Sequence, residues 1–339
     1  MATTQHISTA ARRLAVLVLA ALAAGTTTTT APAGPAQRAA APTCGPARSP
    51  LAAGASRAAS TRVAPAHSAR HAYSWPVKPF DRQHPVRGFF DDPRIKIGAT
   101  HAFHFGVDIS APDGTAVYAV EAGVVHLESG MAVSVVSPGA HTFGYWHIVP
   151  SVRHRQFVRR HQLLGVIGRG WEHVHFAESR NHHYFNPLRP GGLGPYVDRT
   201  PPTVANVEIA RDDAGALTVV ADAFDTPSPR VPGAWTDEPV TPALLEWRLV
   251  RAAAPAGRWH VAADFRSELL TQSRFHDVYA PGTRQNHRAR PGTFCFFLAK
   301  HWRPALADGE YELQVRATDT RGNVGRLALQ LRAATGTIA

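Results

Sequence analysis

Two cysteines in 339 residues, Cys44 and Cys295, exclude a disulfide-built scaffold. They equally exclude any zinc module of four cysteines, or of two cysteines with two histidines. Lysine is nearly absent, with Lys78, Lys96 and Lys300 the only three, so arginine carries the basic excess of +11. Beyond the N-terminus no apolar run approaches the ~20 residues of a membrane-crossing helix, which excludes a multi-span membrane protein. Acidic residues are missing altogether from residues 1–73, which hold seven arginines. Residues 74–200 set 13 basic against 10 acidic side chains, and residues 201–339 set 16 against 15. The parts of the chain able to fold are therefore close to neutral, and the case for a nucleic-acid partner falls away. Helical periodicity is also lacking: between residues 74 and 190 no apolar repeat of helical spacing outlasts two turns.

What is present begins with a leader. Arg12 and Arg13 precede the apolar run Leu14 to Ala24, followed by small residues with cleavage options such as Ala21-Leu22-Ala23. Eleven residues span only about 16 Å as helix, short of the ~30 Å hydrocarbon core. Residues 1–25 read as a secretory signal peptide, with an uncleaved anchor as the other reading. After cleavage no membrane span is left. Residues 26–73 are rich in Ala, Pro, Thr and Arg, with Leu51 and Val63 the only large aliphatics, and read as a disordered linker. Two readings stand for its arginines, attraction to anionic wall polymers and plain solvation.

Trp75-Pro76-Val77 opens the first core, and residues 74–200 read as a β-rich domain. Ala116 to Val125, Ala132 to Val136 and Leu163 to Ile167 are short β-branched runs punctuated by Pro112-Asp113-Gly114, Ser137-Pro138-Gly139 and Gly168-Arg169-Gly170. Pro201-Pro202 marks a boundary. Beyond it Tyr311, Leu313, Val315 and Ala317 alternate with polar neighbours, and Leu327, Leu329 and Leu331 repeat the pattern after Arg321-Gly322-Asn323, as in a hairpin with one buried face. With Val204–Ile209, Leu217–Ala223 and Leu244–Val250, residues 201–339 are expected to form a β-sandwich of about seven strands. The stretch from Asp308 to Gly325 resembles the closing hairpin of bacterial immunoglobulin-like domains.

Twelve of the 19 histidines fall within residues 74–200, and two motifs stand out there: His104-Phe-Gly-Val-Asp108 and His173-Val-His175. On a strand, residues two apart share a face, so His173 and His175 point one way while Val174 and Phe176 point the other. Four extended residues span about 13 Å, too far for two ligands of one ion, so the chain between His104 and Asp108 must bend, and Gly106 is where it can. Nitrogen and oxygen donors with no cysteine nearby suit zinc, and three protein ligands leave a fourth position open for chemistry.

The order of the pieces in residues 75–188 resembles the LytM/lysostaphin-type metalloendopeptidases that cleave peptidoglycan cross-bridges. The matching pieces are Trp75-Pro-Val, His104-Phe-Gly-Val-Asp-Ile-Ser-Ala-Pro-Asp-Gly-Thr, Glu121-Ala-Gly-Val-Val, Gly144-Tyr-Trp-His147, the run from Val158 to Gly168, His173-Val-His-Phe and Asn186-Pro-Leu. The resemblance implies a mostly β fold, with an antiparallel-sheet peptidase domain (74–200) followed by an immunoglobulin-like sandwich (201–339). It implies one Zn2+ held by His104, Asp108 and His175, with His147 and His173 as the non-ligand catalytic pair. The activity implied is secreted, zinc-dependent hydrolysis of peptide bonds in peptidoglycan stems or cross-bridges. The alternative is a catalytically inert wall-binding or hydrolase-activating module that keeps the fold. Tyr145, two residues before His147, is expected by period-two spacing to line the substrate groove or to pack in the core. Glu172, by the same rule, is expected to face away from the site. Trp247 and Trp259 are expected in the sandwich core. The turn Arg169-Gly170-Trp171-Glu172 departs from the Gly/Ser/Thr-rich turn usual before His-x-His.

Overall fold

The computed structural model describes Cys44 and residues 73–95, 101–128, 130–252, 254–334 and 337–338. The expected signal peptide, and the expected linker apart from Cys44 and Tyr73, lie outside the described residues. Among the described residues no helix is long and apolar enough to cross a membrane.

β-Branched and aromatic residues in short runs give strands, and the chain is mostly antiparallel sheet. The main sheet orders its strands as Val86–Gly88, Val107–Ser110, His173–Arg180, His141–Trp146, Ala132–Ser137, Gly123–Glu128 and Phe157–Val158, with His183–Phe185 paired to the end of His173–Arg180. A second sheet of Ala116–Tyr118, Leu163–Ile167 and Ile148–Pro150 belongs to the same half. The run expected to continue from Ala116 to Val125 is broken at residues 119–122, where the chain passes from one sheet to the other. Val107, Ile109, Val174 and Phe176 line the core face with Trp75, Val117, Val133 and Tyr145. Their alternation sets Asp108, His173 and His175 on the opposite face.

Beyond Pro202 the strands Thr203–Arg211, Leu217–Phe224 and Cys295–Trp302 form one sheet. His260–Asp264, Leu244–Arg251, Gly309–Thr318, Val324–Ala334 and Thr337–Ile338 form another. Val219 and Phe296 from the first sheet share one apolar cluster with Leu245, Trp247, Leu313 and Val315 from the second. The hairpin expected from the alternating run is present, with Thr318 opposite Val324. Trp247 is buried as expected, whereas Trp259 lies half-buried between the guanidiniums of Arg248 and Arg316, 4.4 and 4.1 Å from its ring. Its strand neighbourhood leaves it at an open edge, where cation–π contact replaces core packing.

The described residues lie within one compact unit, and the two halves exchange residues. Phe103 enters the sandwich cluster, and Val240 enters the cluster of the first half. Thr241 donates from its backbone nitrogen and its hydroxyl to Asp92 Oδ1, at 2.9 and 2.8 Å. A disulfide joins Cys44 to Cys295, with Cα atoms 5.9 Å apart.

Candidate metal centre

Register brings the two motifs together. His175 lies directly opposite Asp108 on one side and opposite Trp146 on the other. His104 follows the short strand His101–Phe103, and the chain bends at Gly106 before Val107 re-enters the main sheet. The bend needs glycine: a Cβ there would stand 2.8 Å from His175 Nε2 and closer still to the carbonyl oxygen of Phe176.

His104 Nδ1 lies 2.7 Å from the carbonyl oxygen of Phe89 and donates to it, which leaves the Nε2 lone pair facing the site. That Nε2 is 2.7 Å from His175 Nδ1 and 3.2 Å from Asp108 Oδ1, and the latter two atoms are 3.1 Å apart. Asp108 Oδ2 is held at 2.7 Å by Arg94. All three residues are at least largely buried. Burial alone would raise the Asp108 carboxyl, but His104, His173 and Arg94 outweigh it and hold it well below the usual range. Burial, with Arg94 nearby, lowers His104; His175 falls to about 4, again chiefly through burial.

These residues fit a zinc ion. A tetrahedral zinc with ~2.0–2.1 Å bonds sets its ligand atoms about 3.3 Å apart, close to the spacing of the three donors. At neutral pH the aspartate is ionised and both imidazoles are neutral, the protonation states that metal binding requires. Two lone pairs facing each other at 2.7 Å need a cation or a shared proton between them. The other ring nitrogen of His175 is buried and has no hydrogen-bond partner, with the rings of Phe105 and Trp146 packed against the imidazole.

The two further histidines stand beside this group. His173 Nε2 is 3.4 Å from Asp108 Oδ1. His147 stacks on Trp171, ring centroids 3.6 Å apart, with the His173 ring at 4.6 Å. Burial first, and His173 second, lower His147 to about 3, so it is neutral at ordinary pH.

Period-two spacing fails around His147. That residue adopts φ 68°, leaving the strand, so Tyr145 does not share its side. Tyr145 is fully buried, and its hydroxyl accepts from the backbone of Val120 at 2.9 Å. The expected place in a groove is thus corrected to the core, and Trp146 is the residue of this strand that meets the site. Glu172, with φ 53° just before the strand begins, is a partly exposed ion-pair residue. It faces Arg288 at 3.2 Å and Arg87 at 4.0 Å.

Four residues near the site were given no role in it by the sequence. Arg94 orients Asp108. Asp113 accepts from the backbones of Gly170 and Glu172 at 2.6 and 2.8 Å, fixing the turn that presents Trp171 to His147. Buried Arg87 reaches His173 Nδ1 at 2.6 Å and the carbonyl of Trp171 at 2.8 Å. Trp235, from the second half, covers the Arg87 guanidinium at 3.9 Å. His173 Nδ1 is also 2.6 Å from that same carbonyl, so it either donates there or accepts from Arg87. Only the Pro-Asp-Gly signal of Asp113 was visible in sequence, and there it read as a turn.

A His-Asp-His donor group with two further histidines beside it, on one face of an antiparallel sheet, is an arrangement that could hold a metal ion with one coordination position left open. Residues 102–187 match the model of peptidase family M23. The fold is similar to the catalytic domain of the antimicrobial peptidase lysostaphin from Staphylococcus simulans, at 22% identity and TM-score 0.26, covering 30% of this chain and 86% of that one. It is similar to a catalytic-domain mutant of the prophage-encoded M23 protein EnpA from Enterococcus faecalis, at 25% identity and TM-score 0.26, covering 33% and 95%. It is also similar to a zinc-containing peptidase from Vibrio cholerae, at 24% identity and TM-score 0.27, covering 32% and 36%. No curated protein matches the chain.

Proposed function

We propose that the chain is a secreted, zinc-dependent endopeptidase that hydrolyses peptide bonds of peptidoglycan stems or cross-bridges. The observation that carries this reading is the convergence of His104 Nε2, Asp108 Oδ1 and His175 Nδ1 within 2.7 to 3.2 Å, flanked by His147 and His173. His104, Asp108 and His175 would hold the ion. When bound, zinc supplies an acidified water and polarises the scissile carbonyl. His147 and His173 stand where one of them can take the proton of the attacking water, and the pair then donates to the developing oxyanion. Arg94 keeps the carboxylate aimed. We assign residues 201–339 to an immunoglobulin-like accessory domain whose Trp235 backs Arg87 behind His173.

The test is incubation of the zinc-loaded full chain with purified peptidoglycan peptides, scored by new amino termini. Cleavage is expected, is abolished by a zinc chelator and returns with added zinc. A folded, zinc-loaded protein that releases no amino group from any wall peptide would leave the non-enzymatic wall-binding reading in its place.

Arg87 acts through His173 and is a positioning residue. Arg87→Ala is expected to lower kcat about 10–100-fold with zinc content unchanged, the size of effect found for outer-shell partners. The pH–rate profile should shift because His173 Nδ1 then keeps only the Trp171 carbonyl. Arg87→Lys, which retains charge without the planar fork, should recover part of the rate. Wild-type kcat with an unmoved profile would remove Arg87 from this role.

A further inference from the structure

Apart from the His-Asp-His group, three aspartates from separate parts of the chain bring their carboxylates together. Asp198 lies in the segment leading into the sandwich, Asp225 follows the strand Leu217–Phe224, and Asp319 follows the strand Gly309–Thr318. One carboxylate oxygen of each lies within 4.8 Å of the others, and all three residues are buried.

Backbone groups already fix these side chains. Asp198 Oδ1 accepts from Thr200 N at 2.9 Å, and Asp225 Oδ1 from Thr226 N at 2.8 Å. Asp319 Oδ1 accepts from Arg321 N and Asn323 N at 2.8 and 2.9 Å. Asn323 Nδ2 ties the group together, donating to Asp319 Oδ2 at 2.6 Å and to the backbone carbonyl of Asp198 at 3.1 Å. The Tyr196 hydroxyl donates to Asp198 Oδ2 at 3.3 Å, which leaves one oxygen over. Asp225 Oδ2 is buried and has no hydrogen-bond partner among the described residues, in a residue only 1% exposed.

The charges facing Asp225 are the other two carboxylates. The neighbouring guanidinium, Arg321, donates to the carbonyls of Tyr196 and Thr320 at 2.9 and 3.0 Å, and its charge acts on Asp198 and Asp319 without hydrogen-bonding either carboxylate. Burial first, and mutual repulsion after it, push Asp225 well above the usual carboxyl range, and Asp198 rises to about 6. Three ionised carboxylates in this space require added positive charge.

We propose that Asp198, Asp225 and Asp319 form a calcium site that fastens the segment entering the sandwich to two of its strand ends. The donors are all oxygen, with no nitrogen or sulfur among them, which selects a hard cation. Calcium bonds of about 2.3–2.6 Å put ligands on opposite sides of the ion up to about 5 Å apart, so the group spans one ion, and calcium tolerates the irregular geometry that magnesium does not. The unpartnered Asp225 Oδ2 is the ligand with no competing bond. Occupancy clamps three segments that otherwise repel one another.

The experiment uses the full chain, stripped of metals and reloaded with one equivalent of zinc, followed by calorimetric titration with calcium chloride and by thermal unfolding. Saturable binding of one calcium is expected. At about 1 mM calcium, the range of extracellular modules, the melting temperature should rise by roughly 5 °C. Asp225→Asn should abolish the rise while melting no lower than calcium-free wild type, since it relieves repulsion. Asp198→Asn should also abolish it, which keeps the test sound if one variant fails to fold. His175→Ala should respond to calcium as wild type does. Absence of saturable calcium binding by the wild type, an equal response to magnesium, or a calcium response that survives in both asparagine variants overturns the site.

Discussion

His175→Ala is expected to cut hydrolysis of peptidoglycan peptides by about 10³-fold or more, and to cost the protein its zinc at near-stoichiometric loading. The magnitude follows from what the residue supplies: outer-shell partners alone are worth about 10–100-fold, and a ligand holds the ion itself. His175 is the hub of the group, with Nδ1 facing both His104 Nε2 and Asp108 Oδ1 at 2.7 and 3.1 Å. Its removal leaves two donors, too few to retain zinc against a buffer. The same change opens space beside Phe105 and Trp146, whose rings pack against the imidazole, so unfolding must be separated from metal loss. Asp108→Asn serves that purpose, because it preserves volume and the backbone while removing the charge that Arg94 and the histidines face. Both variants should show the circular dichroism of the wild type, low zinc by mass spectrometry and no measurable cleavage. Wild-type cleavage by zinc-free His175→Ala would refute the metallopeptidase reading outright.

Stability should suffer most from Glu178→Ala, with a loss of about 3–5 kcal/mol, the cost of breaking a buried ion pair by removing one partner. Glu178 points to the core face of the same strand that carries His173 and His175, and it is fully buried. Arg189 grips both its oxygens, at 2.6 and 2.8 Å; His141 Nε2 lies 2.8 Å from Oε1, and the Tyr73 hydroxyl donates to Oε2. Alanine would strand the guanidinium and the phenol together. For a domain of this size the loss corresponds to a fall in melting temperature of roughly 10 °C. Burial pushes the Glu178 carboxyl up, but Arg189 outweighs it, and the carboxyl sits below its ordinary value. A lowered folded-state pKa stabilises above the unfolded value of about 4.3 and ceases to do so as pH falls through the folded value. The gap between wild type and Glu178→Ala should therefore be full at neutral pH and shrink below about pH 4. Urea unfolding at several pH values checks both. A gap that is small at neutral pH, or that widens in acid, would show that Arg189 finds another partner.

Local rules read part of this protein correctly. The alternation of His173, Val174, His175 and Phe176 fixed which side chains share a face, because pleating is a property of consecutive residues and needs no tertiary partner. The bend between His104 and Asp108 was legible from Gly106, since only a residue without Cβ clears His175 and the Phe176 carbonyl. The same rule put Tyr145 on the side of His147, which fails because His147 adopts positive φ and leaves the extended chain. Nothing within two residues announces that; contacts such as Trp171 on His147 and Asp113 on Glu172 N come from elsewhere.

By itself the sequence determined the β character of both halves and the hairpin ending in Thr318 and Val324; its two motifs singled out His104, Asp108, His173 and His175, and His147 was added by the family resemblance. The tertiary structure alone decided which atoms meet. Donors 71 residues apart face each other at 2.7 Å because the register sets His175 opposite Asp108. Arg87 reaches His173 beneath a tryptophan of the other half, and Asp198, Asp225 and Asp319 converge from one linking segment and two strand ends. A periodic pattern encodes which face a residue takes, whereas sheet register and the packing of one half on the other encode distance, and metal sites and buried ion pairs depend on distance.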